Sequence, residues 1–356
     1  MGASEWRYGQ VAKLKDIADL LGVSISTVSR AISGDTSRPV SEETKRKIKA
    51  AAIQVGYPLQ GMAFPAAGLP LQYVCILPGN LMGNHPYFAE VLEGFHGRLA
   101  EMGLPPAIMR SYEELREPGR LRSMLDETGA GAVLALGWYD RGMHRTLVDS
   151  GIPMAGVSLN DDSIRIPTVD CDRMSAARMA VRHLLDQGHR RIGYVGGPAF
   201  DKIMENDERY LGYKFAILQA DLPFRPEWIV DADWSVEKSY AETSAMLSAL
   251  APEDRPTAMF CASDTLAIPA MRAAMDQGCR IPEDIAFAGM DNIELAQYTS
   301  PPLTSVHVPR LEIGRAACKF LYDFARGEYR DVPKLLLPCS LVVRESSDWQ
   351  LDSSLT

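Results

Sequence analysis

Residues 14–34 read LKDIADLLGVSISTVSRAISG, and their spacing decides the fold of this end of the chain. Ile17, Leu20 and Leu21 recur at i, i+3 and i+4, Gly22 interrupts, and Val28 and Ile32 resume the helical period. The pattern predicts a helix, a tight turn and a second helix. Asp16 and Asp19 fall early in the first. Ser24 is placed to accept the orphan N–H groups of the second, whose first turn is Ile25-Ser26-Thr27. A third helix is expected from Ser41 to Val55, with Ser41 as cap, Glu42 and Glu43 at its positive start, and Ile48, Ala52 and Val55 along one stripe. Three such helices share a core and leave the second able to enter a DNA major groove. On its outer face stand Ser26, Thr27, Ser29 and Arg30. The plainer reading of the spacing alone is a small helical bundle.

The chain has 356 residues, too many for one ordinary core, with 46% hydrophobic and 23% charged residues. Its net charge of −9 argues against a nucleic-acid binder until it is divided. Residues 1–60 hold nine Lys/Arg against six Asp/Glu, so they carry +3 and the remainder −12. Lys13, Lys15, Arg30, Lys45, Arg46, Lys47 and Lys49 can meet phosphates, whereas the acidic body is repelled by them. Six scattered cysteines show no metal-ligand spacing and read as small buried hydrophobes in a reducing compartment. No apolar run reaches the roughly 18 residues of a membrane span, and no signal-peptide core precedes the headpiece, so a cytoplasmic protein without membrane contact is expected.

Residues 56–72, GYPLQGMAFPAAGLPLQ, are rich in Pro and Gly and mark a boundary. We divide the chain into a headpiece at 1–57, a hinge at 58–71 and a ligand-responsive body at 72–350. In the body, strands are expected at Tyr73–Pro78, Ala107–Arg110, Ala132–Leu136, Met154–Leu159, Arg191–Gly196, Ala258–Ala262 and Ile285–Gly289. Helices are expected at Tyr87–Met102, Met174–Gln187, Glu208–Ala220, Val236–Leu250 and Leu266–Gln277. Apolar strands alternating with helices imply parallel sheets covered on both faces, and two sheets suit about 275 residues better than one. Ligands of such sheets bind beyond the strand C-termini.

DIADLLGVSISTVSRAISG and VSEETKRKIKAAAIQVGY together resemble the DNA-binding headpiece of the lac repressor/galactose repressor family. HPYFAEVLEGF, HLLDQGHRRIGYVGGP, ERYLGYKFAI, CASDTLAIPAMRA, IPEDIAFAGMDN, YTSPPLTSV and LPCSLVVRESS resemble that family's effector module, which is related to periplasmic sugar-binding proteins. The resemblance implies an all-α helix-turn-helix headpiece followed by an α/β, two-lobed, type I periplasmic-binding-protein-like domain. The lobes divide at about 72–171 with 307–336, and 172–306 with 337–350. It further implies a homodimeric transcriptional repressor on a pseudopalindromic operator, released or recruited by a small molecule, a sugar or glycoside, bound between the lobes. No cofactor is implied. The alternatives are a stand-alone sugar-binding protein and a regulator answering to a nucleobase or phosphosugar.

For DNA readout we expect Ile25, Ser26 and Arg30 at base edges, with Thr27, Ser29, Lys15 and the backbone near Ser24 on phosphates. The family's hinge helix wedges a leucine into the minor groove. Here that position falls on Ala66 after Pro65, so either a short helix presents Met62 or Phe64 as the wedge or the linker is a tether. For the effector, the resemblance points to Trp234 in DADWSVEKSYAET, able to stack on a sugar and keep its N–H in a wet cleft, or else to cover a core edge. Arg209 either holds hydroxyls or pairs on the surface with Asp207 or Glu208. Asp264 accepts hydroxyls or caps the next helix, and Asp291 matches an effector-binding aspartate. Ser263 and Ser158 stand where relatives carry longer amide or acid side chains. Tyr87 and Phe88 form an opposite wall or belong to the core. An enzyme is not expected: no GxxxxGK[ST], HExxH, GxSxG or strand-linked GxGxxG occurs, no metal site is evident, and His183 and His189 read as a capping or packing pair.

Overall fold

The computed structural model describes residues 13–33, 40–54, 72–83, 85–159, 164–199, 202–329 and 331–348. The first three helices are α1 (Leu14–Leu21), α2 (Ile25–Ser33) and α3 (Glu42–Gln54). Gly22 ends α1 at φ 63°, a left-handed conformation that a side chain would strain, and this turn redirects the chain into α2. Ser24 caps α2, its Oγ accepting the Thr27 N–H at 3.1 Å, and Ser41 caps α3 in the same way through Thr44. Ile17, Val28, Ile48 and Ala52 are fully buried in one shared core, with Ala18, Ala31 and Ala51 filling between them. Each large aliphatic so buried contributes roughly 1.5–3 kcal/mol, so no pair of these helices suffices without the third. The expected stripe needs one correction: Leu20 is 48% exposed, and Ala18 takes the inward place beside Ile17 and the half-buried Leu21.

After the headpiece the order is β1 (Gln72–Leu77), α4 (Pro86–Glu101), β2 (Ile108–Ser111), α5 (Tyr112–Arg116), α6 (Arg120–Thr128), β3 (Ala130–Leu136), α7 (Arg141–Asp149), β4 (Met154–Val157) and β5 (Thr168–Cys171). Next come α8 (Arg173–Asp186), β6 (Ile192–Gly196), α9 (Glu208–Gln219), β7 (Ile229–Asp231), α10 (Val236–Ala249), β8 (Ala258–Cys261), α11 (Asp264–Asp276), β9 (Ala286–Asp291) and β10 (Thr304–His307). The described chain closes with α12 (Arg310–Ala325), β11 (Lys334–Leu337) and β12 (Ser340–Val342). Two six-stranded sheets result, ordered β11-β5-β4-β3-β1-β2 and β12-β10-β9-β8-β6-β7.

The described residues fall into two compact units. Unit one runs to Val169 and includes Leu311–Leu335; unit two comprises Asp170–Arg310 and the residues from Leu336 onward. In unit one, Val74, Ile76, Val133 and Ala135 of the parallel strands β1 and β3 pack on Leu121, Met124, Met143 and Leu147. Gly94 of α4 and Gly314 of α12 let these helices cross backbone against backbone, since a methyl at either would collide with the other's carbonyl oxygen. In unit two, Val195, Met259, Cys261 and Phe287 face Leu266, Ala270 and Met271 of α11. Strands β7, β6, β8, β9 and β10 are all parallel, and only the edge strand β12 runs antiparallel, to β10. The parallel sheets that the sequence implies are present, with β12 an antiparallel addition at one edge.

Candidate functional site

On α2 the core contact is made by Val28, at 0% exposure, while Ile25 on the other side is 48% exposed. Ser24 and Ser26 are exposed, and Thr27, Ser29 and Arg30 are half-buried. The small hydroxyls are already oriented: Ser24 Oγ lies 2.9 Å from Ser26 Oγ and 2.8 Å from Thr27 Oγ1. Arg30 Nε donates to the Ser26 carbonyl at 3.1 Å, which steadies the stem of the guanidinium along the helix. Lys15 is exposed on α1. The arrangement gives a helix one apolar tip, several adaptable hydroxyls and one planar cation on the side away from its core, the set that base edges and phosphates require. Met62, Phe64, Pro65 and Ala66 lie outside the described residues.

In unit one the sequence singled out Tyr87, Phe88 and Ser158. Tyr87 and Phe88 open α4 and are only 6% and 7% exposed, their rings edge-to-face at 5.0 Å. This is the packing alternative: the first turn of α4 turns both rings inward. Ser158 follows β4 at φ 61° and donates to the Tyr87 hydroxyl at 3.4 Å.

Unit two gathers the rest. Because β6, β7, β8 and β9 are parallel and in register, with Gly196 beside Asp231 and Val195 beside Cys261, their carboxyl ends share one edge. Trp234 follows β7, Ser263 follows β8, Asp291 ends β9, and Asp207–Arg209 opens α9 on the way from β6. Arg209 grips Asp207 through two hydrogen bonds, Nε to Oδ1 at 3.1 Å and Nη2 to Oδ2 at 2.7 Å. Its guanidinium also lies over the Trp234 ring, 4.1 Å from the centroid. The ion pair expected at the surface is therefore made in the interior, where Arg209 and Asp207 side chains keep 19% and 7% exposure. Burial raises the Asp207 carboxyl, but Arg209 outweighs it and holds the group below its usual value.

Two expectations are corrected here. The Trp234 N–H is not left to solvent; it donates to the Pro198 carbonyl at 2.8 Å, which fixes the indole while Arg209 covers a face. Asp264 neither caps α11 nor reaches outward. Ser263 is the cap, its Oγ accepting the Leu266 N–H at 3.4 Å, and Asp264 is wholly enclosed. Its Oδ2 accepts the Ile293 N–H at 2.8 Å and its Oδ1 the Ser305 hydroxyl at 2.6 Å, so it ties the ends of β9 and β10 to α11. Gly289 makes room for it, since a methyl there would collide with Oδ1. Burial, reinforced by Asp291, pushes the Asp264 carboxyl far above its ordinary value.

Asp291 is 7% exposed, and burial lifts its carboxyl to about 6 against the pull of Arg310, Arg209 and Arg173. Arg310 holds the turn from beneath by donating to the Asp291 carbonyl and to the Asn292 carbonyl. Arg173 and Asp170, an ion pair at 2.8 Å with 8% and 0% exposure, complete the charged group, and no sequence motif pointed to them. Residues on one sheet edge come from separate segments, and only the β-strand order brings them together. His183 and His189 do pack, on Ser347 and Thr257 respectively. A depression of about 480 Å³ beside Arg110 and Glu114, and one of about 280 Å³ beside Arg178 and Arg182, contain none of these residues. Among the described residues no acid, histidine and cysteine group could hold a metal, and no helix is long and apolar enough to cross a membrane.

The family description "Bacterial regulatory proteins, lacI family" matches residues 13–58, and "Periplasmic binding protein-like domain" matches residues 181–347. The chain is 31% identical over 343 residues to the HTH-type transcriptional repressor CytR of Escherichia coli (strain K12), covering 94% of this chain and 96% of that protein. It is 30% identical over 339 residues to the HTH-type transcriptional repressor PurR of Pectobacterium carotovorum, covering 94% and 97%. Among solved structures, a transcriptional regulator CelR–cellobiose complex superposes with a TM-score of 0.69 at 28% identity, over 94% of this chain and 99% of that one. The lac repressor dimer bound to operator and an anti-inducer shares the fold, with a TM-score of 0.67 at 23% identity over 95% and 99%.

Proposed function

This chain belongs to the lacI family of bacterial regulatory proteins, and from that membership we propose a homodimeric, cytoplasmic repressor that releases or holds a pseudopalindromic operator in response to a sugar or glycoside. The observation that carries the DNA-binding half is the split on α2, where Val28 is wholly buried while Ile25 stands 48% exposed beside Ser26. Ile25 meets a thymine methyl, Ser26 takes a donor or acceptor, and Arg30 grips guanine; Ser24, Thr27, Ser29 and Lys15 hold phosphates. For the minor groove the candidates in the linker are Met62 and Phe64, the alternative being a linker that only tethers the headpiece.

For the effector, the charge state of unit two favours a neutral, hydroxyl-rich ligand. Arg209 and Arg173 already face Asp207 and Asp170, so neither is a spare cation for a phosphate. Asp291 offers a carboxylate for hydroxyls, Trp234 an apolar edge, and Ser263 a short hydroxyl. The cellobiose in the CelR complex is of this class. Control requires only that the effector bind one conformation better than the other, with coupling of about 1–3 kcal/mol. A thermal-shift screen of mono- and oligosaccharides tests this, because a ligand raises the midpoint by mass action. At least one sugar is expected to stabilise the wild type and to do so far less in Trp234→Ala. Hits confined to nucleobases or phosphosugars overturn the assignment.

A further inference from the structure

Helices α8 and α9 of unit two pack against each other, and their exposed face carries charge that the fold does not use. At Gly212 of α9 the two backbones close up, since a methyl there would meet the Met174 carbonyl oxygen of α8 at 2.5 Å. Further along, Arg178, Arg182 and Leu185 of α8 share one helical face, and with Ala216 and Ala220 of α9 and Arg190 they line the depression of about 280 Å³. Its lining holds three arginines and one acid, Asp186, a local charge of +2. The residues after 60 sum to −12, so this groove stands against the sign of the body around it.

Elsewhere in unit two arginines meet acids: Arg209 pairs with Asp207, Arg225 with Glu227, Arg272 with Asp276 and Arg280 with Asp284. The three in the groove do not. Arg178 donates to the Gln219 side-chain oxygen at 3.3 Å, and Arg190 donates to the carbonyls of Leu185 and His189. Among the described residues Arg182 has no hydrogen-bonding or ionic partner, although Asp186 is one turn away. Apolar surface adjoins these charges. Phe215 is 58% exposed with the Arg178 guanidinium 5.8 Å from its ring centroid, and Leu218, one turn on, is 54% exposed. Arginine beside exposed aromatic and aliphatic side chains is the composition that carries binding at protein interfaces.

We propose that the groove between α8 and α9 is a docking surface for a different protein, which it takes through an acidic segment bearing a bulky apolar side chain. Charge complementarity selects the acids: a free guanidinium can grip a carboxylate with two parallel N–H groups, and an unpaired arginine gains more from such a partner than one already neutralised. Phe215 and Leu218 select the apolar side chain, which removes their exposed surface from water. A phosphate-bearing small molecule fits less well. Its clustered negative oxygens would face Asp186, and it would leave Phe215 and Leu218 uncovered. None of the groove residues belongs to the strand-end edge around Trp234 and Asp291, so docking here needs no effector.

The test pans a displayed library of random dodecapeptides on the full chain, with counter-selection on Arg182→Glu, and measures the enriched peptides by fluorescence anisotropy. Peptides of net negative charge with at least one aromatic or large aliphatic residue are expected. They should bind the wild type about tenfold or more tighter than Arg182→Glu and about threefold tighter than Phe215→Ser, and weaken as salt rises. Because Arg182 makes no bond within the fold, Arg182→Glu is expected to keep the melting midpoint, the operator affinity and the oligomeric state. Failure to enrich any peptide, enrichment of peptides without acids, or equal binding by Arg182→Glu overturns the proposal. Displacement of the peptides by equimolar inorganic tripolyphosphate makes the groove a small-anion site, and loss of self-association in Arg182→Glu makes its occupant a second copy of this chain; either result overturns it too.

Discussion

The outer face of α2 and the strand-end edge of unit two use polar side chains in opposite ways. On α2 the hydroxyls of Ser24, Ser26 and Thr27 bond only to near neighbours in the chain, and Arg30 rests on its own helix. Those contacts orient the groups without consuming the face. In unit two the charged groups are bound to each other across segments: Arg209 to Asp207 and over Trp234, Arg173 to Asp170, Asp264 to Ser305 and Ile293. On a face whose hydrogen bonds stay within one helix each side chain is held locally, whereas a buried cluster of charges must neutralise itself within the fold. Substitution should therefore unfold one region and merely blunt the other.

The largest effect is expected at Asp264. Asp264→Ala leaves the buried Ile293 N–H and Ser305 hydroxyl without an acceptor and should cost about 2–5 kcal/mol in urea unfolding of the body, whereas Asp264→Asn, which keeps an acceptor, should cost less than half of that. Equal, small losses in both variants break the contrast between the regions. Next comes Arg209→Ala, which strands the Asp207 carboxylate and uncovers Trp234. A loss of about 2–3 kcal/mol, together with loss of sugar-induced stabilisation, is expected in thermal melts.

Arg30→Ala belongs to the other region and should leave the melting curve nearly unmoved while costing about 1–3 kcal/mol of operator affinity and relaxing one base pair. Uniform weakening across all duplexes makes Arg30 a phosphate contact instead. The smallest effect is a pH dependence. With the Asp291 carboxyl lifted to about 6 in the folded protein, its contribution to stability is present at low pH and lost as pH rises through 6. Ligand binding through its carboxylate runs the other way, weakening by up to about tenfold per pH unit below 6, or about 1.4 kcal/mol. Titration calorimetry across pH 5 to 8 should show this slope in the wild type and lose it in Asp291→Asn.

How much was legible follows from the same contrast. The headpiece could be read because one helical period places Ile17, Val28 and Ile48 inward and, by subtraction, Ile25 and Ser26 outward. The long strands and amphipathic helices of the body were legible for a similar reason. The short strands β5, β7, β10 and β12 went unread, and so did α12, although Ile313, Ala317 and Leu321 form its buried stripe. Residue identity singled out Trp234 and Asp291 after strands and Arg209 in the phrase ERYLGY, the start of a helix. Their partners were hidden: Asp170, Arg173 and Arg310 come from segments that only sheet order brings to that edge. Asp264 illustrates the limit, because an acid after a strand reads alike whether it faces a ligand or closes a core, and Gly289 on a different strand is what makes the inward room.

The central claim is tested most directly by selecting duplexes from a random pool with the full chain, then measuring fluorescence anisotropy of the selected site and a scrambled duplex over a salt series. The account predicts binding to a two-fold-symmetric site at least a thousandfold tighter than to the scrambled duplex, with affinity falling steeply in salt for both. Equal affinity for the two duplexes, or no enrichment of any site, contradicts it.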